Sequence, residues 1–382
     1  MRPEPFRIAI PDADVHRLRT RLGETTWPGD FNNETGRYGV SETWLRKAIS
    51  YWCDEYDWRK AEAAMNRFPH FRVVIDDVPV HYIHVKSKRA NAVPLILSHG
   101  WPWTFWDWKD VIAPLADPEN DALPAFDVVV PSLPGFGFST PLRTPGVDVR
   151  EVARRWHILM RDVLGYPRFA AAGGDWGSLI TAQIGHEFPA DLIGVNMTLP
   201  MIPGLDLTRF AGATFAPEEQ WMSDRMAEAH PTITSHIAVQ GTDPQTLAYG
   251  LADSPAGLAA WLWERRLAWS DPRLDSPARG LDGLCTLASI YWFTNSIASS
   301  MRIYFEFFKG PWLAPRQGTK TIDTPTGFTI GPKELLMMPR KMAEELTNLK
   351  RWTILPRGGH FVPAEVPDLV VEEYRAFFGG LS

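Results

Sequence analysis

The stretch Ala170-Ala171-Ala172-Gly173-Gly174-Asp175-Trp176-Gly177-Ser178 decides how the rest of the chain reads. Small apolar residues form a strand that can be covered on both faces, residues 179–188 continue as a helix, and Gly-x-Asp-x-Gly stands between them. Gly173 and Gly177 leave room for a tight strand-to-helix turn that lifts the middle side chain above the sheet, where a helix N-terminus favours negative charge. This is the pattern of a nucleophile elbow with Asp175 at the nucleophile position. The competing reading is a loop aspartate that only caps the helix.

Working outward, apolar runs at 94–98, 126–130, 169–172, 192–197, 326–330 and 352–355 alternate with helical stretches. Runs buried on both faces and separated by helices predict a mostly parallel α/β sheet. Val73 and Ile75, the turn Asp76-Asp77, and then Val78, Val80 and Tyr82 follow a period of two, which predicts a hairpin at the start of that sheet. Residues 1–70 read as a helical extension: Val15, Leu18 and Leu22 follow Asp12 as an N-cap, and Trp44, Leu45, Ala48, Ile49 and Trp52 recur at helical spacing. Residues 201–310 carry helical signals only, including 257–269 after Ser254-Pro255, and predict a lid between two parts of the core, 71–200 and 311–382.

Folds with such an elbow place their catalytic groups along the chain in the order nucleophile, acid, histidine. His360, in Arg357-Gly358-Gly359-His360-Phe361, is the only histidine beyond His236 and is placed to activate water as a general base. Glu334, in Gly331-Pro332-Lys333-Glu334, follows the preceding strand and is expected to orient it, with Asp323 in reserve. Ser98-His99-Gly100-Trp101-Pro102 lies where a backbone N–H serves an oxyanion hole, so Trp101 is assigned as one donor and Trp176 as the other. His99 reads as structural rather than as a second base.

A carboxylate nucleophile narrows the reaction, because aspartate attacking a saturated carbon leaves an ester that activated water can cleave, whereas serine would leave an ether. A departing halide needs only stabilisation. An epoxide oxygen must gain a proton, so that route needs an acid in the lid. Tyr304, in Ser299-Ser300-Met301-Arg302-Ile303-Tyr304, is the candidate, since a phenol of ordinary pKa ~10 keeps its proton at neutral pH. The alternative role for Tyr304 is packing.

Composition bounds the rest. A chain of 382 residues with 45% apolar and 22% charged residues is of ordinary globular make-up, as one elaborated domain or two to three smaller ones. Lys plus Arg (39) against Asp plus Glu (45) leaves −6 with no basic run, which argues against nucleic acid as a partner. Cys53 and Cys285 lie far apart and form neither a disulfide framework nor a thiolate zinc site. No segment approaches about 18 consecutive apolar residues, so no membrane partner and a soluble, cytoplasmic protein are expected. Gly135-Phe136-Gly137 lacks the last glycine of a dinucleotide loop and no His-Glu-x-x-His is present, so no cofactor or metal is expected. Seventeen tryptophans, among them Trp101, Trp103, Trp106 and Trp108 and then Trp261, Trp263 and Trp269, read as core or as a pocket with aromatic walls.

Taken together, the chain resembles the microsomal-type epoxide hydrolases of the α/β-hydrolase superfamily over nearly its whole length. The resemblance rests on Ile49-Ser50-Tyr51-Trp52, Arg67-Phe68-Pro69-His70-Phe71, His99-Gly100-Trp101-Pro102, Pro131-Ser132-Leu133-Pro134-Gly135-Phe136-Gly137-Phe138-Ser139, 173–178, 253–258, Pro325-Thr326-Gly327-Phe328 and Gly358-Gly359-His360-Phe361. It implies an α/β-hydrolase fold with an N-terminal helical extension and a helical lid. The implied reaction is cofactor-free conversion of an epoxide to a vicinal diol through an alkyl ester on Asp175. His360 corresponds to the base, Glu334 to the charge-relay acid and Tyr304 to one of two lid tyrosines that protonate the epoxide oxygen. Counting back from Gln240-Gly241-Thr242-Asp243-Pro244, the second tyrosine's position holds His236, which is assigned to substrate binding with Trp101 and Trp176. No membrane anchor of the kind that precedes the extension in animal members is expected, so soluble bacterial members, some in secondary metabolism, fit better. The expected partner is a small hydrophobic or aromatic epoxide, and homodimer formation is left open. The rivals are a haloalkane-dehalogenase-like hydrolase and a hydrolase fold retired to binding.

Overall fold

A computed structural model describes residues 1–205, 212–314 and 320–381. Strand β1 (Glu4–Phe6) precedes helices α1 (Asp12–Gly23), α2 (Glu42–Asp54) and α3 (Trp58–Met65). Strands β2 (His70–Ile75), β3 (Val78–Val85) and β4 (Val93–Ser98) lead to α4 (Lys109–Ala116), β5 (Phe126–Pro131), α5 (Val149–Ile158), β6 (Phe169–Gly173), α6 (Trp176–Glu187) and β7 (Leu192–Met197). A block of helices follows: α7 (Gln220–Thr242), α8 (Pro244–Asp253), α9 (Pro255–Trp269), α10 (Leu281–Phe293) and α11 (Ile297–Phe308). The chain then returns through β8 (Ile322–Ile330), α12 (Arg340–Leu346), β9 (Thr347–Ile354), α13 (Val362–Glu365) and α14 (Pro367–Phe378). Of the expected lid, 206–211 lie outside the described residues, as do 315–319 and 382 of the second core part.

The strands form one sheet in the order β1-β2-β3-β5-β4-β6-β7-β8-β9. β1, β2 and β3 pair antiparallel and join β5 antiparallel, while β5, β4, β6, β7, β8 and β9 run parallel. In β7 the two faces of the parallel part read directly from neighbouring residues. A side chain at Gly194 would meet Phe377 of α14, whereas Val195 packs toward Gly185 of α6, so helices cover both faces. Leu95, Ile96 and Leu97 in β4 and Phe169 and Ala170 in β6 are accordingly buried.

Several elements differ from expectation. The extension contributes β1, whose three residues pair with the first half of β2. Asp12 is the first helical residue of α1 rather than its cap, a place held by Pro11 with no side-chain bond. β8 starts at Ile322 and β9 at Thr347, ahead of the apolar runs, because Thr324 and Thr326 bond their hydroxyls to carbonyls and β9 is a half-exposed edge that carries Lys350 and Arg351.

The extension packs on this block of helices between β7 and β8. On α10, Asp282, Thr286 and Ser289 share one helical face and receive Tyr51 Oη (2.8 Å), Tyr56 Oη (2.9 Å) and Trp52 Nε1 (3.0 Å). The Trp44 and Trp52 rings meet Trp263 of α9 at centroid distances of 6.1 and 5.6 Å.

Candidate active site

Asp175 stands between β6 and α6 at φ 52°, ψ −128°, a backbone conformation that non-glycine residues rarely hold. Packing around it enforces the turn: a side chain at Gly177 would collide with the Ser98 carbonyl, and one at Gly100 with the Asp175 carboxylate itself. Asp175 Oδ1 accepts the Trp101 N–H at 2.7 Å. His99 fixes that donor. Its Nε2 accepts the Leu133 N–H at 3.0 Å, which leaves the ring proton on Nδ1 to bond the Gly100 carbonyl at 3.0 Å. The Gly100 carbonyl and the Trp101 N–H belong to one peptide group, so the imidazole holds the plane of the donor. Burial lowers the His99 pKa to about 4 and keeps the ring neutral.

His360, beyond β9, presents Nε2 to Asp175 Oδ2 at 3.3 Å and Nδ1 to Glu334 Oε1 at 2.5 Å. Burial by itself would lower the imidazole, but the Glu334 and Asp175 charges outweigh it and raise its pKa above the ordinary value. Burial raises Glu334, opposed by His360 and by the Leu335 N–H, which donates to Oε1 at 2.7 Å. Arg225 of α7 donates to the Glu334 and Lys333 carbonyls at 3.1 and 2.8 Å and ties the acid loop to the lid. Asp323 lies in β8, where its carbonyl accepts from Asn348, and Glu334 is the carboxylate that meets the imidazole.

The helices between β7 and β8 supply two polar groups. Tyr304 of α11 packs edge-on against Trp176 at 4.6 Å and against His236 of α7 at 5.4 Å. Burial and then the Asp175 charge push its phenol well above pKa 10, so it is protonated at neutral pH. His236 stacks on Trp101 at 5.3 Å and 12° and packs against Trp269 at 4.9 Å. Burial, with the Arg265 charge adding to it, lowers the His236 pKa to about 3.

Asp175, Trp176, His236, Tyr304 and His360 line one cavity of about 440 Å³. Its other walls are largely apolar, among them Leu179, Leu199, Ile233, Ile237 and Phe307, and the Trp269 and Trp312 N–H groups are already bonded to Thr232 and Gln183. Trp101 does not line this cavity; its ring lies beneath His236 and its contribution is the backbone N–H. A second cavity of about 510 Å³, between the extension and the lid around Tyr56, Asp107 and Arg266, touches neither Asp175, His360 nor Tyr304. Sequence reasoning passed over Glu365, which accepts from the backbone on both sides of His360. The signal available was an acid four residues beyond Phe361, in Val362-Pro363-Ala364-Glu365.

Among the described residues no helix is long and apolar enough to cross a membrane. The family described as "Epoxide hydrolase N terminus" matches residues 3–108, and that described as "alpha/beta hydrolase fold" matches 93–365. Epoxide hydrolase 1 of Sus scrofa is 32% identical over 409 residues, covering 99% of this chain and 89% of the relative. The crystal structure of juvenile hormone epoxide hydrolase from the silkworm Bombyx mori superimposes with a TM-score of 0.89 at 27% identity over 99% of this chain and 94% of the other. The Aspergillus niger epoxide hydrolase structure does so with a TM-score of 0.85 at 28% identity over 100% and 97%. With sequence and fold both matched from end to end, and with the extension and the hydrolase core each recognised, the chain belongs to the epoxide hydrolase family of the α/β-hydrolase superfamily.

Proposed function

We propose that the chain converts a hydrophobic epoxide to its vicinal diol through an ester on Asp175. The observation that supports this is the inequality of the two carboxylate oxygens of Asp175, which lines the cavity: Oδ1 accepts the Trp101 N–H, while Oδ2 has the His360 imidazole at 3.3 Å. Oδ2 attacks a ring carbon, the carbon–oxygen bond of the ring breaks, and Tyr304 donates its proton to the departing oxygen. The ester carbonyl is then Oδ1, already at the Trp101 donor, and the N–H of Trp176 at the start of α6 is assigned as the second donor to the oxyanion.

Ester formation also changes the electrostatics. Loss of the Asp175 charge removes one of the causes that hold His360 raised, so the imidazolium becomes able to release its proton, which restores Tyr304. Neutral His360, oriented by Glu334, takes a proton from water as the oxygen adds to the ester carbon. Collapse releases the diol and regenerates the carboxylate and the imidazolium. The apolar walls favour a substrate whose only strong acceptor is the epoxide oxygen.

In a single turnover in oxygen-18 water, the first diol carries an unlabelled oxygen from Asp175, and His360→Gln accumulates protein plus epoxide by intact mass. Solvent label in that first product at full abundance would show direct attack by water and overturn the covalent route.

A further inference from the structure

Four consecutive N–H groups of the loop carrying His360 are taken. Gly358 donates to Asp271 Oδ2 at 3.1 Å, Gly359 to Glu365 Oε2 at 3.1 Å, His360 to the Trp269 carbonyl at 2.9 Å and Phe361 to Glu365 Oε1 at 2.9 Å. Glu365 Oε2 also accepts the Asp271 N–H at 2.7 Å, just beyond α9. One carboxylate thus grips the residues on either side of His360 and joins them to the lid. We propose that Glu365 is the positioning residue of the general base, holding the imidazole at the distance and angle that ester hydrolysis requires.

Glu365 is 8% exposed and does not line the substrate cavity, so it acts through the loop and not on the substrate. A carboxylate is buried here because three N–H donors converge on both of its oxygens. Glutamine has the same shape but turns an NH2 toward at least one of those donors and leaves it unpaired. Arg266, paired with Asp107 and lying 3.9 Å over the Phe361 ring, adds positive charge nearby, so the buried carboxylate is not isolated. Gly359 is required at this place, since any side chain there would run into the Trp269 carbonyl and the Asp271 N–H.

The proposal rests on the ester mechanism above and predicts a division between its steps. Ring opening depends on Asp175 and Tyr304, whereas hydrolysis needs His360 Nε2 aimed at a water beside the ester. In Glu365→Gln, followed by rapid quench and intact mass, ester decay falls about 10- to 100-fold while ester formation stays within about threefold, and KM falls with kcat as ester accumulates. Equal slowing of both steps, or wild-type rates with only a lower melting temperature, would overturn it. A second readout needs no ester: the downfield proton NMR signal of the His360–Glu334 bond in the free protein shifts or broadens in the variant, and an unchanged signal would overturn the assignment. If wild type forms no ester, the covalent reading fails, and the NMR signal still decides the role of Glu365. Should Glu365→Gln not fold, Glu365→Asp keeps both acceptors on a shorter stem; a smaller split in the same direction supports the proposal, and wild-type rates in both steps overturn it.

Discussion

At Asp175 and the two lid residues above it, charge decides which group gives up a proton. Tyr304 is held protonated by burial and by the Asp175 carboxylate, and in the proposed route the second of these causes vanishes as the ester forms, when the proton is needed. His236 is neutral, with its pKa lowered to about 3, so imidazolium does not form in the physiological range. Tyr304→Phe is therefore expected to slow single-turnover ester formation by about 10²- to 10⁴-fold. His236→Phe should slow it less than about tenfold and should mainly change which ring carbon is attacked, read from the diol regiochemistry. The wild-type ring-opening rate should not rise as pH falls from 7 to 6; such a rise, together with the larger loss in His236→Phe, would make His236 the acid. The same depressed pKa carries a stability consequence. His236 accepts a proton near 6.5 when unfolded and near 3 when folded, so its contribution is present above pH 6.5 and is lost as pH falls toward 3. Over that window the unfolding free energy should fall less steeply with falling pH in His236→Phe than in wild type, measured by urea denaturation.

The elbow is an agreement among three elements. β6 delivers the turn, α6 supplies the N–H end that faces the carboxylate, and the loop after β4 brings the Trp101 donor against Asp175 Oδ1. Gly100 is the contact between the last two, since a side chain there would overlap the carboxylate. Gly100→Ala is expected to lower kcat by about 10²-fold through displacement of the nucleophile, with a smaller loss of stability of about 1–3 kcal/mol. Steady-state kinetics alongside thermal melts decide this: wild-type kcat with a lowered melting temperature would mean that the loop yields and the carboxylate does not. α7 has a double part in the same site, since Arg225 near its start holds the Glu334 loop while His236 nearer its end enters the cavity.

Across the whole molecule, the extension acts as a brace. α2 and the turn after it reach α10 through Trp52, Tyr51 and Tyr56, and the same block of helices carries Tyr304 and His236, which line one cavity with Asp175. Trp52 is 2% exposed, and Trp52→Ala would empty its place and strip Ser289 of its donor. The expected destabilisation is roughly 3–5 kcal/mol. Chemical denaturation reads the first effect, and a fall in ring-opening rate per folded molecule reads the loosening of the lid. An unchanged denaturation midpoint would show that the core holds the lid without the extension.

The sequence by itself determined what short-range chemistry dictates: the glycines around Asp175, the apolar runs of the parallel strands, the places of Asp175, Glu334 and His360 after their strands, and the helical block between two parts of a sheet. The glycines give the steric room that the Asp175 turn needs, the strands follow from burial on both faces, and the remaining two follow from position after a strand and from helix-start signals, all of which a few adjacent residues carry. Only the tertiary structure decided the features that depend on chain segments far apart. Burial among α7, Trp101 and Trp269, with Arg265 nearby, makes His236 a neutral neighbour of Tyr304. Contact across the sheet pairs His360 with Glu334 and not Asp323, and pairing with β2 turns Glu4–Phe6 into a strand. Glu365 gains its place only where the base loop meets the end of α9, because a carboxylate's partners are set by which N–H groups folding buries beside it.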